Sequence, residues 1–343
     1  MQSRDLTLVI PTFNRSDLLA RLLKHLANCH WKSPIIVADS SDVETTARNK
    51  AAIGRYRTVL GIKHVCFPSY TSPGLKLAHT VSQVESEYVV LCADDDIIVP
   101  ATVNECVTFL SRSPEYSLCH GVFLSYLHKI TADGSTKILM TSDNISDSIE
   151  QDSASGRLMA QYHRYATTFY GVRRTALLNE ILTRTCECLP GPFGNGCLLE
   201  VFEASLVVIN GKVKRLPYLY CVRKGWPSTV GFEGLVTRRD FSTNLDAVRE
   251  FIVKELVKRE AISTEDAHRF FDAAFMQFLR GGLGELPLPD RFKEYHATPS
   301  GSRQLEQRFI DMVVKSAGAD FEKINELLQS ELRPGEARLP VEV

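Results

Sequence analysis

The chain has 343 residues, 44% apolar and 24% charged, with a formal net charge of -1. That balance suits a globular protein of one large domain, or a core domain with a smaller one, and excludes a nucleic-acid footprint. No apolar run nears the roughly 18 residues that a membrane helix needs. The opening MQSRDLTLVIPTFNR holds an apolar run of about five residues before Pro11, so a signal peptide is not expected. Nine cysteines, mostly inside apolar runs, fit the reduced thiols of a cytoplasmic protein. Cys186, Cys188 and Cys197 cluster loosely but lack the paired spacing of a zinc site.

In chain order, LTLVI (Leu6 to Ile10) predicts a strand stopped by Pro11. Leu18, Leu19, Leu22, Leu23 and Leu26 then recur at helical spacing, with Ser16 or Asp17 as the expected N-cap. SPIIVAD predicts a second strand ending at Asp39, and DVETTARNKAAIGRY a helix. IKHVCF, GLKLAHTVSQVE, YVVLCA and PATVNECVTFLSRS continue as strand, helix, strand, helix, and YSLCHGVFLSYL is a fifth strand. Four alternations before residue 126 predict an α/β fold, a mostly parallel Rossmann-like sheet with helices on both faces. Further on, KITADGSTKILM predicts a hairpin turning at Asp133-Gly134, and YATTFYGVRRTALLNEIL a strand followed by a helix. CLLEVFEASLVVI reads as a helix and VKRLPYLYCVRK as a strand. From about Phe241 the chain reads as amphipathic helices, the last over about Ser302 to Leu332. We expect a main α/β domain over 1–235, with halves 1–126 and 127–235, and a helical region over 236–343. The apolar stripe of Phe270, Phe271, Phe275, Met276, Phe278 and Leu279 needs cover. Packing on the α/β domain is the first expectation for it, a homodimer contact the second and peripheral membrane docking the third.

In EYVVLCADDDIIVP, an apolar strand runs into three consecutive aspartates. Repulsion and desolvation both oppose that arrangement unless positive charge sits there. A divalent cation, which takes carboxylate oxygens as hard ligands, is the simplest candidate. In open α/β sheets ligands bind beyond the carboxyl ends of the strands. PTFN, Asp39 and the aspartate triplet all lie at such ends.

VIPTFNR, IIVADSSD, EYVVLCADDDIIVP and a Glu-bearing helix before NGKVKRLP together resemble glycosyltransferase family 2, over about residues 6 to 225. The resemblance implies a GT-A fold and transfer of a sugar from a nucleotide diphosphate donor, UDP-sugars favoured, to an acceptor hydroxyl with inversion. It implies donor contacts from Pro11, Thr12, Phe13, Asn14 and Arg15, and from Asp39 and Ser40 at the base. Family members usually end this strand in D-x-D, with a proline five residues after the second acid. Counting back from Pro100 gives Asp95 as that acid, with Ala93 standing at the first position. Asp95 is therefore the expected ligand of Mn2+ or Mg2+, with Asp94 and Asp96 as helpers. A carboxylate base is implied eleven residues before a pre-strand glycine. Here these are Glu200 and Gly211, with Glu203 in reserve on the same helix face. Lys76, His79, Arg223 and Lys224 are candidates for the diphosphate, and Trp226 for stacking on a sugar. The GPFGNG loop, Gly191 to Gly196, would line the acceptor side. Two other readings stay open. One is a catalytically inactive binding or scaffold protein of the same fold, for which Ala93 and the single acid at Glu200 argue. The other is a nucleotidyltransferase, against which the glycine-free PTFNRSD counts.

Overall fold

The computed structural model describes residues 5–69, 71–130, 136–141, 147–163, 168–189, 196–224, 241–282 and 310–330. Its first half is the expected alternation. Strand β1 (Leu6–Thr12) leads to helix α1 (Ser16–Asn28), then β2 (Ile35–Asp39), α2 (Val43–Tyr56), β3 (Ile62–Cys66), α3 (Pro73–Val81) and β4 (Tyr88–Leu91). All five residues of β2 and all four of β4 are buried, as strands covered on both faces must be. The helix starts follow capping chemistry. Asp42 accepts from the Thr45 amide at 2.7 Å and Ser72 from the Leu75 amide, with Pro73 in the first turn of α3. The exception is α1. Its N-cap is Arg15, with no side-chain cap bond, and Ser16 is its first helical residue.

The second half departs from simple alternation. After β5 (Ile97–Ile98) and α4 (Pro100–Arg112) come a long β6 (Tyr116–Ile130) and β7 (Thr136–Thr141). Helix α5 (Ala154–His163), for which the sequence reading has no counterpart, precedes β8 (Val172–Arg174), α6 (Thr175–Cys188), α7 (Gly196–Asn210) and β9 (Lys212–Lys224). The nine strands form one sheet ordered β3-β2-β1-β4-β8-β6-β9-β5, with β7 paired to β6. Ladders among β3, β2, β1 and β4 are parallel, as is β6 with β9. Short β8 is antiparallel to both β4 and β6. β7 forms the expected hairpin with β6, Ile130 opposite Thr136, and its turn lies outside the described residues. At Gly121 the β6–β9 register shifts, and the strands come so close that a Cβ there would stand 2.4 Å from the Tyr218 carbonyl oxygen.

Helices α8 (Phe241–Glu260) and α9 (Thr264–Gly282) pack on this core. Their Val248, Ile252, Leu256, Phe271 and Phe275 share one buried cluster with Leu118 of β6 and Val201 and Phe202 of α7. The last expected helix is broken. A helix over 310–317 ends at Gly318, at φ +48°, and α10 (Ala319–Gln329) restarts beyond it. Glycine takes that backbone conformation readily. Ile324 and Leu328 of α10 bury against Ile97, Val122 and Tyr126. Among the described residues no helix is long and apolar enough to cross a membrane. Truncating Phe271 to Ala should cost about 3–5 kcal/mol in a urea melt, since it removes an aromatic ring that is 1% exposed from a shared core. A change within 0.5 kcal/mol would mean that α9 does not bear on the core's stability.

Candidate active site

The carboxyl ends of β1, β2 and β4 lie side by side, and the chain after β4 turns there through Ala93, Asp94, Asp95 and Asp96. All three aspartates are buried. Their counter-charges are arginines. Arg15 Nη1 donates to Asp95 Oδ2 at 2.9 Å and to Asp94 Oδ1 at 3.4 Å. The Thr12 hydroxyl donates to the other Asp94 oxygen at 2.7 Å. Arg21, from the buried face of α1, donates to the Asp95 carbonyl at 2.6 Å and to the Tyr126 hydroxyl at 2.8 Å. Asp96 turns the other way, and its Oδ2 lies 3.4 Å from Arg223 Nε. Burial pushes the Asp96 carboxyl up to about 7, against the pull of Arg223. Burial also raises Asp94, with Thr12 and Arg15 opposing it. The structure thus divides the triplet: Asp94 and Asp95 converge on one cationic nitrogen, and Asp96 belongs to a separate ion pair.

Above the triplet opens a cleft of about 300 Å³. Thr12, Phe13, Arg15 and Asp94 line one side, Pro73, Lys76 and Leu77 of α3 another, and Tyr170, Leu199 and Glu200 the third. Phe13 is half exposed at the rim. Lys76 is buried, and its Nζ donates to the Thr12 carbonyl (2.9 Å) and the Ser40 hydroxyl (3.0 Å). Burial lowers it to about 8, although Asp39 and Asp94 act to raise it. Asn14 sits at φ +54°, a conformation asparagine tolerates better than most residues. Its Oδ1 accepts from the Asp42 amide and its own amide donates to the Ser41 hydroxyl, so it ties the loop after β1 to the loop after β2. Asp39 is occupied on both oxygens, by the Ser41 amide, Asn49 Nδ2 and His64 Nε2, each at 2.9 Å. Burial would raise its carboxyl, but the bonds from His64, Ser41 and Asn49 prevail and hold it well below the usual range.

The two candidate bases part company. Glu200 lines the cleft, where burial raises its carboxyl while Arg223 draws it down. Glu203, one turn along α7, is fully buried below the cleft. It accepts from the Thr168 hydroxyl at 2.6 Å and is ion-paired with buried Arg173. That corrects the expectation for Glu203, because both of its oxygens are committed to holding β8 against α7. His79 is also displaced. It packs edge-on against Phe67, ring centroids 5.5 Å apart, and does not line the cleft. Trp226 and the loop residues 191–195 lie outside the described residues. The sequence reading missed Arg21 and Tyr170. Arg21 lies among the leucines of α1, but so does Lys24, and nothing local tells the buried cation from the exposed one. Tyr170, whose ring lies 4.9 Å beneath the Arg223 guanidinium, had no local signal either.

Residues 3–200 match the family model described as "Glycosyltransferase like family 2". The chain belongs to that family. Its fold is GT-A, and as a glycosyltransferase it shares that fold with solved structures. S. aureus TarS 1–349 in complex with UDP-GlcNAc superposes with a TM-score of 0.55 at 16% identity, over 96% of this chain and 85% of that one. The complex of TarS 1–349 with UDP gives 0.52 at the same identity and coverage. The longer TarS structure gives 0.52 at 15% identity, with 95% of this chain matched to 50% of that one. At such identities the likeness is one of fold. No curated protein matches the chain.

The division of labour on α7 is measurable in this glycosyltransferase. Glu203→Ala leaves the Arg173 charge buried and unpaired, and should cost about 3–5 kcal/mol in chemical denaturation. Glu200→Gln should leave the midpoint close to wild type. Equal losses in both variants would refute the structural assignment of Glu203.

Proposed function

We propose that this glycosyltransferase moves a sugar from a UDP-sugar to an acceptor hydroxyl with inversion, aided by a divalent cation, with Glu200 as the base. The observation that carries the reading is that Glu200 shares one cleft with Thr12, Arg15 and Asp94. A carboxylate that can take a proton thus stands in the same cleft as the cationic and acidic groups suited to a nucleoside diphosphate. The UDP-GlcNAc bound by a TarS structure of the same fold supports a uridine donor.

The aspartates fit a hard cation. Asp94 and Asp95 both aim oxygens at one positively charged nitrogen, and Mg2+ or Mn2+ commonly takes only one or two protein carboxylates when phosphates complete its shell. Asp94 and Asp95 would hold the ion, which would supply charge neutralisation for the diphosphate leaving group. Asp96, paired with Arg223, would stay behind them as a support. Arg15, 44% exposed at its side chain, is free to swing from the carboxylates to a phosphate. Phe13 offers a ring for the base at the rim, and Asp39 anchors the wall behind it. Lys76 stiffens that wall, since its ammonium binds the backbone of β1 and the loop after β2 together. Glu200 accepts the acceptor's proton. Burial brings its affinity for that proton nearer to neutral pH, which favours general-base work.

A thermal-shift panel of UDP, GDP, dTDP and CMP, each with and without Mn2+, tests the donor site. UDP with Mn2+ at about 100 times its Kd should stabilise the protein by about 2.7 kcal/mol, and Asp95→Ala should abolish the effect. No stabilisation by any nucleotide would sink the reading. The pH profile of kcat/KM tests the base. Activity should fall as pH drops through the Glu200 value, which lies above the ordinary 4.5. Because Arg223 opposes protonation of Glu200, Arg223→Met should move that acid limb to higher pH. A limb that stays put would show that Glu200 is not the titrating base.

A further inference from the structure

The turn that carries the aspartate triplet is held by its backbone as well as by its side chains. The Asp96 amide donates to the Ala93 carbonyl at 3.2 Å, closing a turn with Asp94 and Asp95 at its centre. The Asp95 carbonyl is left outside that bond, and a buried carbonyl needs a donor. Arg21 supplies it. Its side chain is drawn into the protein, with the residue 8% exposed, and arginine is almost never buried without partners. Nη2 donates to the Asp95 carbonyl at 2.6 Å and Nη1 to the Tyr126 hydroxyl at 2.8 Å. Tyr126 is itself fully buried, in one cluster with Ile97, Ile324 and Leu328. The phenol has a fixed place, and so has the guanidinium that it anchors. One turn further along α1, His25 Nε2 lies 2.8 Å from the Ile98 carbonyl oxygen. A carbonyl only accepts, so that nitrogen carries the proton. Two side chains of one helix thus grip the chain on either side of Asp96.

We propose that Arg21 is a positioning residue for the cation site: it sets the backbone of the 93–96 turn, and the backbone sets where Asp94 and Asp95 aim their oxygens. The proposal rests on the reading of those two aspartates as the ion's ligands. Only φ and ψ are soft in the main chain, so the direction of the Asp95 carbonyl and the directions of the side chains beside it are set together. Arg15 cannot do this work. It is 44% exposed at its side chain and binds the carboxylates themselves, so an ion would take its place. Arg21 binds the backbone from the buried face of α1 and stays where it is when an ion arrives. A guanidinium suits the task, because its planar fork spans two acceptors at a fixed spacing. Partners that orient a metal ligand in this way govern affinity without touching the metal.

Mn2+ titrated into the full-length protein, alone and again with UDP, tests the assignment when free ion is counted by electron paramagnetic resonance. Arg21→Met keeps an apolar stem and removes the donors. It should weaken Mn2+ binding about 10–100-fold, the usual cost of losing a partner that orients a ligand. Arg21→Lys keeps the charge and a point donor, and should restore part of that loss. Tyr126→Phe releases the anchor and should weaken binding by less than Arg21→Met. Each variant is measured at a temperature where circular dichroism shows it folded. Phe271→Ala is the control: it weakens a core away from the triplet and should bind Mn2+ as wild type does. Wild-type affinity in folded Arg21→Met overturns the proposal, as does an equal loss in Phe271→Ala. If Arg21→Met does not fold, Arg21→Lys and Tyr126→Phe decide, and wild-type affinity in both overturns it. A wild-type protein that takes up no Mn2+ under either condition sinks the cation reading itself, and this proposal with it.

Discussion

The arrangement at the head of β4 depends on how three adjacent buried carboxylates are neutralised. Two unit charges 4 Å apart interact by about 4 kcal/mol even at an effective dielectric constant of 20, against a total stability of about 5–15 kcal/mol. The triplet is therefore tolerable only with positive charge built around it. Arg15 supplies it from the loop after β1, and Arg223 from the end of β9. Arg21 adds a guanidinium to the backbone beneath. This requirement explains why α1 begins on Arg15 with no capping side chain: the residue there is bonded to Asp94 and Asp95 instead. It also explains why Asp96 separates from its neighbours, since one cationic position cannot serve three carboxylates.

The second constraint is the short antiparallel strand β8. By inserting between β4 and β6, it ends the parallel half of the sheet and starts the mixed half. Buried Arg173 on β8 then needs a partner, and Glu203 of α7 provides it. That ion pair fixes the rotation of α7, and with it the face on which Glu200 looks into the cleft. A residue outside the chemistry thus positions the one proposed to perform it. The same cluster of apolar side chains that seats α7 also seats α8 and α9, so the C-terminal helices support α7 from behind.

Asp39 shows how one residue can serve two neighbourhoods. Its backbone belongs to the strand end beside Thr12, while its carboxylate faces β3 and is held there by His64 and Asn49.

Local pattern alone carried much of this. The alternation of buried strands with capped helices made the first half of the sheet legible, because period, caps and strand ends are properties of short segments. The aspartate triplet was legible as chemistry for the same reason: a run of like charges after an apolar strand needs a partner wherever it occurs. Glu200 was singled out only through the family resemblance, by its spacing from Gly211. What the sequence could not determine was pairing at long range. Glu200 and Glu203 lie one helical turn apart and look equivalent on paper. Only the packing of α7 against β8 decides that one is committed to Arg173 and the other faces the cleft. Asp94, Asp95 and Asp96 are likewise neighbours in sequence, divided in space by arginines 79 to 127 positions away. Charge neutralisation in a low-dielectric interior acts over a few ångströms, and which groups come within that distance is a property of the folded chain.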